Sequence, residues 1–236
     1  MVKNSSKVLN EEEWMVQPQF SNTNLRAAFS LKSISVKGYE GRRSFAKKAG
    51  FDPNGLVIPK QTHSTNVSFA KSVNTIENCD GVFTDGKDIV CSIQVADCMP
   101  IYFAHCSKNV YGLVHAGWRG LVYGILESTS QLILENGYKL HDFEIFIGPS
   151  IQKCCFEISD DIVGNFKIEY VTPNKKNGKY KVDLQYLARR EMIQIGFKKN
   201  QIKVSTDCTY CLQEKYHSFR RDGKNSGRMI GLIGRA

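Results

Sequence analysis

The amino-acid sequence predicts an α+β fold, a single domain of mixed β-sheets flanked by helices. Apolar runs rich in β-branched residues, "GLVIPKQTHSTNVSFA" and "IVCSIQVADCMPIYFAH", neighbour each other in the chain. Helix-period stretches interrupt such runs without a strict βαβ rhythm, which disfavours a doubly wound parallel sheet. No GxGxxG or GxxxxGK[ST] segment supports a dinucleotide-binding or P-loop fold. The 236 residues are 42% hydrophobic and 11% aromatic, enough to bury a sizeable core. No repeat, low-complexity tract or Pro/Gly/Ser-rich linker marks a boundary, so one domain over residues 1–236 is expected.

Taken in order, residues 1–20 read as polar and peripheral. The segment "EGRRSFAKKAGF" reads as a short helix stopped by Gly50, and two β-rich runs follow. After "VYGLVHAG" the clearest helix is expected from Trp118 to Asn136. Leu121, Val122, Ile125, Leu126, Leu132 and Ile133 form its apolar stripe, and Gly137 stops it. The run "FEIFIGPSI" reads as a strand preceding a helix that Ser159 caps, with Asp160 and Asp161 at its positive end. A further helix opens near Asp183 and carries Leu184, Leu187, Ala188 and Ile195. The tail "YHSFRRDGKNSGRMIGLIG" reads as two strands around a polar turn.

Lys and Arg number 32 against 23 Asp and Glu, a net charge of +9 that favours anionic ligands such as phosphate or nucleic acid. The basic residues are thinly spread, with no stripe interleaved with aromatics, so a nucleic-acid partner is not expected. The first 20 residues lack the apolar h-region of a signal peptide, and no run reaches the ~18 apolar residues of a membrane helix. A cytoplasmic protein without a membrane partner is therefore expected, as monomer or homodimer. Its eight cysteines, Cys79, Cys91, Cys98, Cys106, Cys154, Cys155, Cys208 and Cys211, should stay reduced and pack mostly as small hydrophobes. "CTYC" at 208–211 is a CxxC with no second CxxC, and Cys154–Cys155 lacks a partner motif. All four therefore read as structural.

The chemistry concentrates elsewhere. His63 and His115 stand at strand ends, and Cys98 lies in "VADCMP", where a strand-like run meets a proline. Separations of 35 and 17 residues are too long for a local zinc finger, so only the fold could assemble them. Spacing alone leaves open a metal site and three ordinary polar residues. If they converge, two imidazoles and one thiolate form a three-ligand site with an open fourth position, the arrangement of catalytic zinc. Such an ion acidifies a water and polarises a substrate oxygen. The same set with an axial methionine would suit copper, and Met99 follows Cys98, although adjacent strand residues point to opposite faces. In "HAGWRG" the amides opening a helix near Trp118 attract anions, and Arg119 adds a planar fork suited to phosphate. A tight turn with a surface arginine would explain the same letters. Asp97 is a candidate proton shuttle or orienter of a ligand histidine. Gln61, two residues before His63, is a candidate for hydrogen bonds to base or ribose. Arg220, Arg221 and Arg228 are further anion-binding candidates.

The segments "KQTHSTNV", "VADCMPI", "VHAGWRG", "IGPSI", "YKVDLQYLARR", "CTY" and "SFRRDGKNSGRM" occur in this order. Together they resemble the bacterial laccase-domain family, also called multicopper polyphenol oxidases and now regarded as zinc-dependent purine nucleoside phosphorylases. The resemblance runs from about residue 25 to the C-terminus. It implies a fold similar to the catalytic domain of cytotoxic necrotizing factor toxins, with metal ligands at His63, Cys98 and His115. The implied activity is phosphorolysis of adenosine, inosine, guanosine and 5'-methylthioadenosine to free base and ribose 1-phosphate, with adenosine deaminase activity beside it. Purine nucleosides and inorganic phosphate are the implied partners and zinc the implied cofactor, with copper as the alternative. Two departures stand out. Lys32 occupies the place of a family arginine and loses its bidentate fork, and Cys211 departs from the pattern after "CTY". Five histidines are too few for a multicopper oxidase. A hydrolase with Cys98 as nucleophile and His115 as base is the rival reading, as is a copper-dependent polyphenol oxidase.

Overall fold

The strand Met99–His105 is buried along its whole length, and its side chains alternate between two cores. Met99, Ile101 and Phe103 point toward helices, whereas Tyr102 and Ala104 point into a second sheet. That alternation sets the architecture of the computed structural model, which describes residues 9–11, 15–34, 38–175 and 177–235.

Met99–His105 lies inside a six-stranded sheet ordered Ile202–Val204, Phe143–Ile147, Met99–His105, Tyr111–Ala116, Gly81–Thr84, Val67–Phe69. A seven-stranded sheet faces it, in the order Leu9–Glu11, Met15–Pro18, Leu25–Ser30, Met229–Arg235, Val90–Val95, Leu56–Pro59, Thr75–Ile76. Both are mixed: the six-stranded sheet has antiparallel pairs at its centre and a parallel pair at each edge, and the seven-stranded sheet is antiparallel except for the parallel pairs at its Leu56–Pro59 and Thr75–Ile76 edge. Between them pack Phe29, Cys91, Ile93 and Ile233 from one sheet and Tyr102, Tyr111, Leu113 and Phe146 from the other. The outer face of the six-stranded sheet is covered by the helices Ile125–Glu135 and Leu184–Ile195, through Ile125, Leu126, Ile133, Leu184, Leu187 and Met192. The outer face of the seven-stranded sheet is covered by Gly38–Lys48, through Phe45 and Ala46. The result is a layered α+β fold, helix–sheet–sheet–helix, with a three-stranded sheet (Glu157–Ile158, Lys179–Val182, Val171–Asn174) at one side. No helix among the described residues is long and apolar enough to cross a membrane.

Several expectations hold locally. Asp183 caps the helix Leu184–Ile195 by accepting from the Tyr186 amide at 2.9 Å. Others need correction. The expected helix from Trp118 to Asn136 is two, Trp118–Val122 and Ile125–Glu135. Gly124, at φ 97°, takes a left-handed conformation that breaks the spiral between them. The helix after Ser159 is one turn, Asp160–Val163, and the Ser159 hydroxyl donates to Asp161 rather than capping the backbone. The tail holds one strand, Met229–Arg235. Its expected partner is instead a turn of helix, Phe219–Asp222, capped by Ser218, which accepts from the Arg221 amide. The N-terminal segment is not wholly peripheral, because Met15 and Val16 are buried in a strand of the large sheet. Residues 1–8 and 12–14 lie outside the described residues.

Candidate metal centre and substrate cleft

Two loops and the end of a strand bring His63, Cys98 and His115 together. Their ligand atoms all lie within 4.8 Å of one another, with Cys98 Sγ 3.9 Å from His63 Nε2 and the two imidazoles edge to face at 4.9 Å between centroids. His115 comes from the buried end of Tyr111–Ala116. Cys98 comes from the turn between Val90–Val95 and Met99–His105, and His63 from the loop after Leu56–Pro59. His115 is buried, Cys98 half-buried and His63 exposed, so the cluster opens to solvent on one side. The backbone packs closely behind it. A Cβ at Gly117 would stand 2.9 Å from His63 Cδ2 and 3.1 Å from Cys98 Sγ.

Asp80, which no motif in the sequence singles out, organises this centre. Its carboxylate is fully buried and lies 2.7 Å from His115 Nδ1. It also accepts from the amides of Thr62, His63 and Ser64 and from the Ser64 hydroxyl. These donors hold the 62–64 turn against Asp80, with His63 in a left-handed conformation at φ 61°. Burial alone would raise the Asp80 carboxyl, but the hydrogen bonds from His115 and Ser64 outweigh it and hold the group well below the usual carboxylate range. With an ionised acceptor at Nδ1, Nε2 is the His115 atom left to ligate a metal once its own proton is displaced, the usual support of a metal-ligating histidine. Cys98 follows the same logic. Burial would raise its thiol, yet His115 and His63 lower it to about 6, toward the thiolate that a metal needs. His115 in turn is raised to about 9 by the Cys98 thiolate and Asp80 against the opposing effect of burial. Two imidazoles and an acidified thiol, steadied by a carboxylate, make a donor set that could hold a metal ion. The only sequence signal for Asp80 is an acidic residue directly before the apolar run "GVFT". Met99 is turned into the helix-facing core, away from Cys98, and offers no axial sulfur.

The centre forms the floor of a cleft of about 530 Å³, within the range of small-molecule pockets. Its walls include Trp118, Arg119, Phe156, Phe219, Arg220 and Arg228. The Arg119 guanidinium is exposed and lies 4.4 Å from the Trp118 ring. Arg220 covers Phe156 at 5.1 Å and donates to the Glu157 carbonyl, while Arg228 lies 5.7 Å from Phe219 and donates to the carbonyls of Ser226 and Gly227. Arg221 does not line the cleft. It pairs with Asp222 and donates to carbonyls of Thr209, Tyr210 and Tyr216. Lys32 donates to the Gln213 carbonyl at 2.9 Å and is likewise absent from the walls.

Gln61 and Asp97 line the cleft with their polar atoms already engaged. The Gln61 amide exchanges two 2.8 Å hydrogen bonds with the backbone of Gln94. Asp97 sits at φ 85° and accepts from Thr209 Oγ1, Ser218 Oγ and the Arg220 amide. The carboxylate that orients the buried histidine is therefore Asp80 and not Asp97. Asp97 instead ties the Cys98 turn to the chain carrying Arg220. The expected helix N-terminus at Trp118 is real but belongs to a five-residue helix, too short to sum a full dipole, so positive charge in the cleft comes mainly from guanidinium groups.

With this site in a layered sheet-on-sheet fold, the class is defined. Residues 12–236 match the family described as multi-copper polyphenol oxidoreductase laccase, and the chain belongs to that family. Among its relatives is "Purine nucleoside phosphorylase YlmD" of Geobacillus stearothermophilus, 33% identical over 195 residues that span 77% of this chain and 69% of the relative. A second, "Adenosine deaminase RL5" from an unknown prokaryotic organism, is 30% identical over 210 residues, 82% of this chain and 80% of that protein. The crystal structure of YlmD from Geobacillus stearothermophilus superposes with a TM-score of 0.88 at 25% identity, covering 97% of this chain and 98% of that one.

Proposed function

We propose that this protein is a zinc-dependent purine nucleoside phosphorylase. Adenosine, inosine, guanosine and 5'-methylthioadenosine are converted to free base and ribose 1-phosphate, and adenosine deamination is a second activity. The observation that carries this reading is the convergence of His63, Cys98 and His115 on the floor of a cleft walled by aromatic rings and guanidinium groups. The names of its relatives, purine nucleoside phosphorylase and adenosine deaminase, support it.

Zinc suits the donors better than copper, because Met99 faces away and no axial sulfur completes a copper set. His63, Cys98 and His115 would hold the zinc ion, which would supply Lewis acidity toward a substrate oxygen. The remaining work falls to this chain's own residues. Asp80 keeps the proton on Nδ1 of His115 and so keeps that imidazole a donor in one orientation. Arg119, with Arg220 and Arg228 beyond it, concentrates positive charge where phosphate must sit to reach C1′ of the nucleoside. The flat faces of Trp118, Phe156 and Phe219 suit a purine. Gln61 and Asp97 act on substrate by shaping the wall, since their side chains already bond to Gln94 and to the Thr209–Arg220 segment.

The test is to incubate metal-quantified protein with adenosine, with and without phosphate, and to separate the products by chromatography. Ribose 1-phosphate formed only with phosphate is expected. Inosine as the sole product would leave a deaminase. Activity that survives removal of the metal but is abolished by alkylation of Cys98 would replace this reading with the cysteine-hydrolase one.

A further inference from the structure

A second group of metal-ligating side chains lies outside the cleft. Cys154 and Cys155 sit in the turn after Ile151, and Cys208 and Cys211 in the turn "CTYC". All four sulfurs lie within 4.8 Å of one another. Cys154 Sγ is 3.7 Å from Cys208 Sγ and 3.7 Å from Cys211 Sγ, and Cys155 Sγ is 3.3 Å from Cys211 Sγ. A tetrahedron of thiolates about 2.3 Å from a central zinc has edges of about 3.8 Å, close to this spacing. Disulfide-bonded sulfurs are only about 2.05 Å apart.

We propose that Cys154, Cys155, Cys208 and Cys211 form a second, structural metal site that binds zinc through four thiolates. This proposal does not depend on the phosphorylase reading, because none of the four residues belongs to the His63, Cys98 and His115 centre.

The surrounding backbone is arranged for a thiolate. The Gln152 amide points at Cys208 Sγ at 3.4 Å, and the amides of Tyr210 and Cys211, two and three residues beyond Cys208, donate to the same sulfur. Amides converging on the first cysteine of a CxxC turn are what a metal-bound sulfur, with its remaining lone pairs, would use. Burial by itself would raise the Cys208 thiol, and these amides reverse the effect and lower it. Cys154 is pushed up to about 11 by burial and neighbouring thiols, and Cys155 is raised further by burial and by Cys211 and Cys154. Four thiols this close cannot ionise together without a cation between them, whereas binding of a divalent ion expels their protons to solvent.

A closed four-sulfur shell leaves no position for substrate, so the ion would hold the chain together. Cys154 and Cys155 lie between Ile151 and Phe156, both in the cleft wall. Cys208 adjoins Thr209, which bonds to Asp97 beside Cys98, and a parallel bridge already joins Ser150 to Cys208. Linking the two cysteine turns would therefore brace Phe156, and through Asp97 the Cys98 turn.

The decisive measurement is zinc content per chain, on full-length protein purified under reducing conditions and dialysed against one equivalent of zinc per site. Two ions are expected in the unaltered protein. One is expected in the double variant Cys208→Ser/Cys211→Ser, and one in the double variant Cys98→Ser/His115→Ala, which spares the four-thiol cluster. Should the first variant fail to fold, cobalt substitution of the second gives the answer on a folded chain. An intense sulfur-to-cobalt charge-transfer band should appear with one equivalent of ion and vanish when zinc displaces it. The proposal is overturned if Cys98→Ser/His115→Ala binds no ion, or if alkylation and peptide mapping find the four cysteines fully reactive, or disulfide-linked, in the zinc-loaded protein. Loss of phosphorolysis with two ions present would overturn the functional reading and leave this one standing.

Discussion

The His63, Cys98 and His115 centre and the four-cysteine cluster use the same soft ligand chemistry in opposite ways. The first gathers three donors from two loops and a strand end at the bottom of a cleft and leaves one side open. The second gathers four sulfurs from two turns and closes on itself. The supports differ as well. The open centre is steadied by a buried carboxylate that accepts hydrogen bonds from three amides, the hydroxyls of Thr62 and Ser64 and one imidazole. The sulfur cluster is steadied by amides that donate to Cys208. An anionic support raises the donor strength of a neutral imidazole, whereas amide donors temper the excess charge of a tetrathiolate. Donor count and the sign of the support therefore separate a site built for exchange from one built for permanence.

Four perturbations sharpen that contrast. The largest effect is expected from Cys98→Ser, which removes the only anionic ligand of the open centre. Phosphorolysis should fall more than about 100-fold and bound metal by one ion per chain, with the four-cysteine ion retained. Equal loss of both ions would show that the two sites are not independent. Asp80→Asn should weaken metal binding at the open centre by about 10-fold to 100-fold in a chelator competition assay and leave the sulfur cluster's affinity unchanged.

A smaller change is expected from Arg119→Lys, which keeps charge but loses the planar fork. The phosphate KM should rise by about 3-fold to 10-fold with kcat less affected, and metal content at both sites should stay constant. The smallest effect lies outside both clusters. Burial, with repulsion from Glu127 offset by Lys167, raises the Glu191 carboxyl from its ordinary 4.5 to about 7. The folded state holds that proton longer than the unfolded chain, so the contribution to stability is fully present below about pH 4.5 and lost as the pH rises through about 7. Glu191→Gln should therefore raise Tm at pH 8 and change it little at pH 4.5, with both metal sites intact. An equal shift at the two pH values would rule out this assignment.

Local patterns in the chain made several elements legible. The helix opening near Asp183, the apolar β-rich run that contains Met99–His105 and the strand before "GPSI" all follow from residue types and interactions within a short stretch of chain. The three candidate ligand positions, His63, Cys98 and His115, were legible for another reason, since their flanking motifs resemble those of a known family. Asp80 was not, because nothing around it in the sequence distinguishes a buried carboxylate from a turn residue. Its function appears only when His115, 35 residues away, is placed against it. The tail departs from the two-strand expectation because the polar segment "SFRRDG" can form a turn of helix as readily as a strand, and Asp97, 121 residues from Ser218, helps to select the helix.

By itself the sequence determined the class of fold, the places of several strands and of the helix opening near Asp183, and which side chains are chemically able to ligate a metal. Those properties depend on near neighbours and on residue type. Only the tertiary structure decided which of those side chains meet. It joined His63 to Cys98 across 35 residues and Cys154 to Cys208 across 54. Such convergence is set by the packing of two sheets and their covering helices, and the free energy of that packing is spread over the whole core instead of residing in the residues that are brought together.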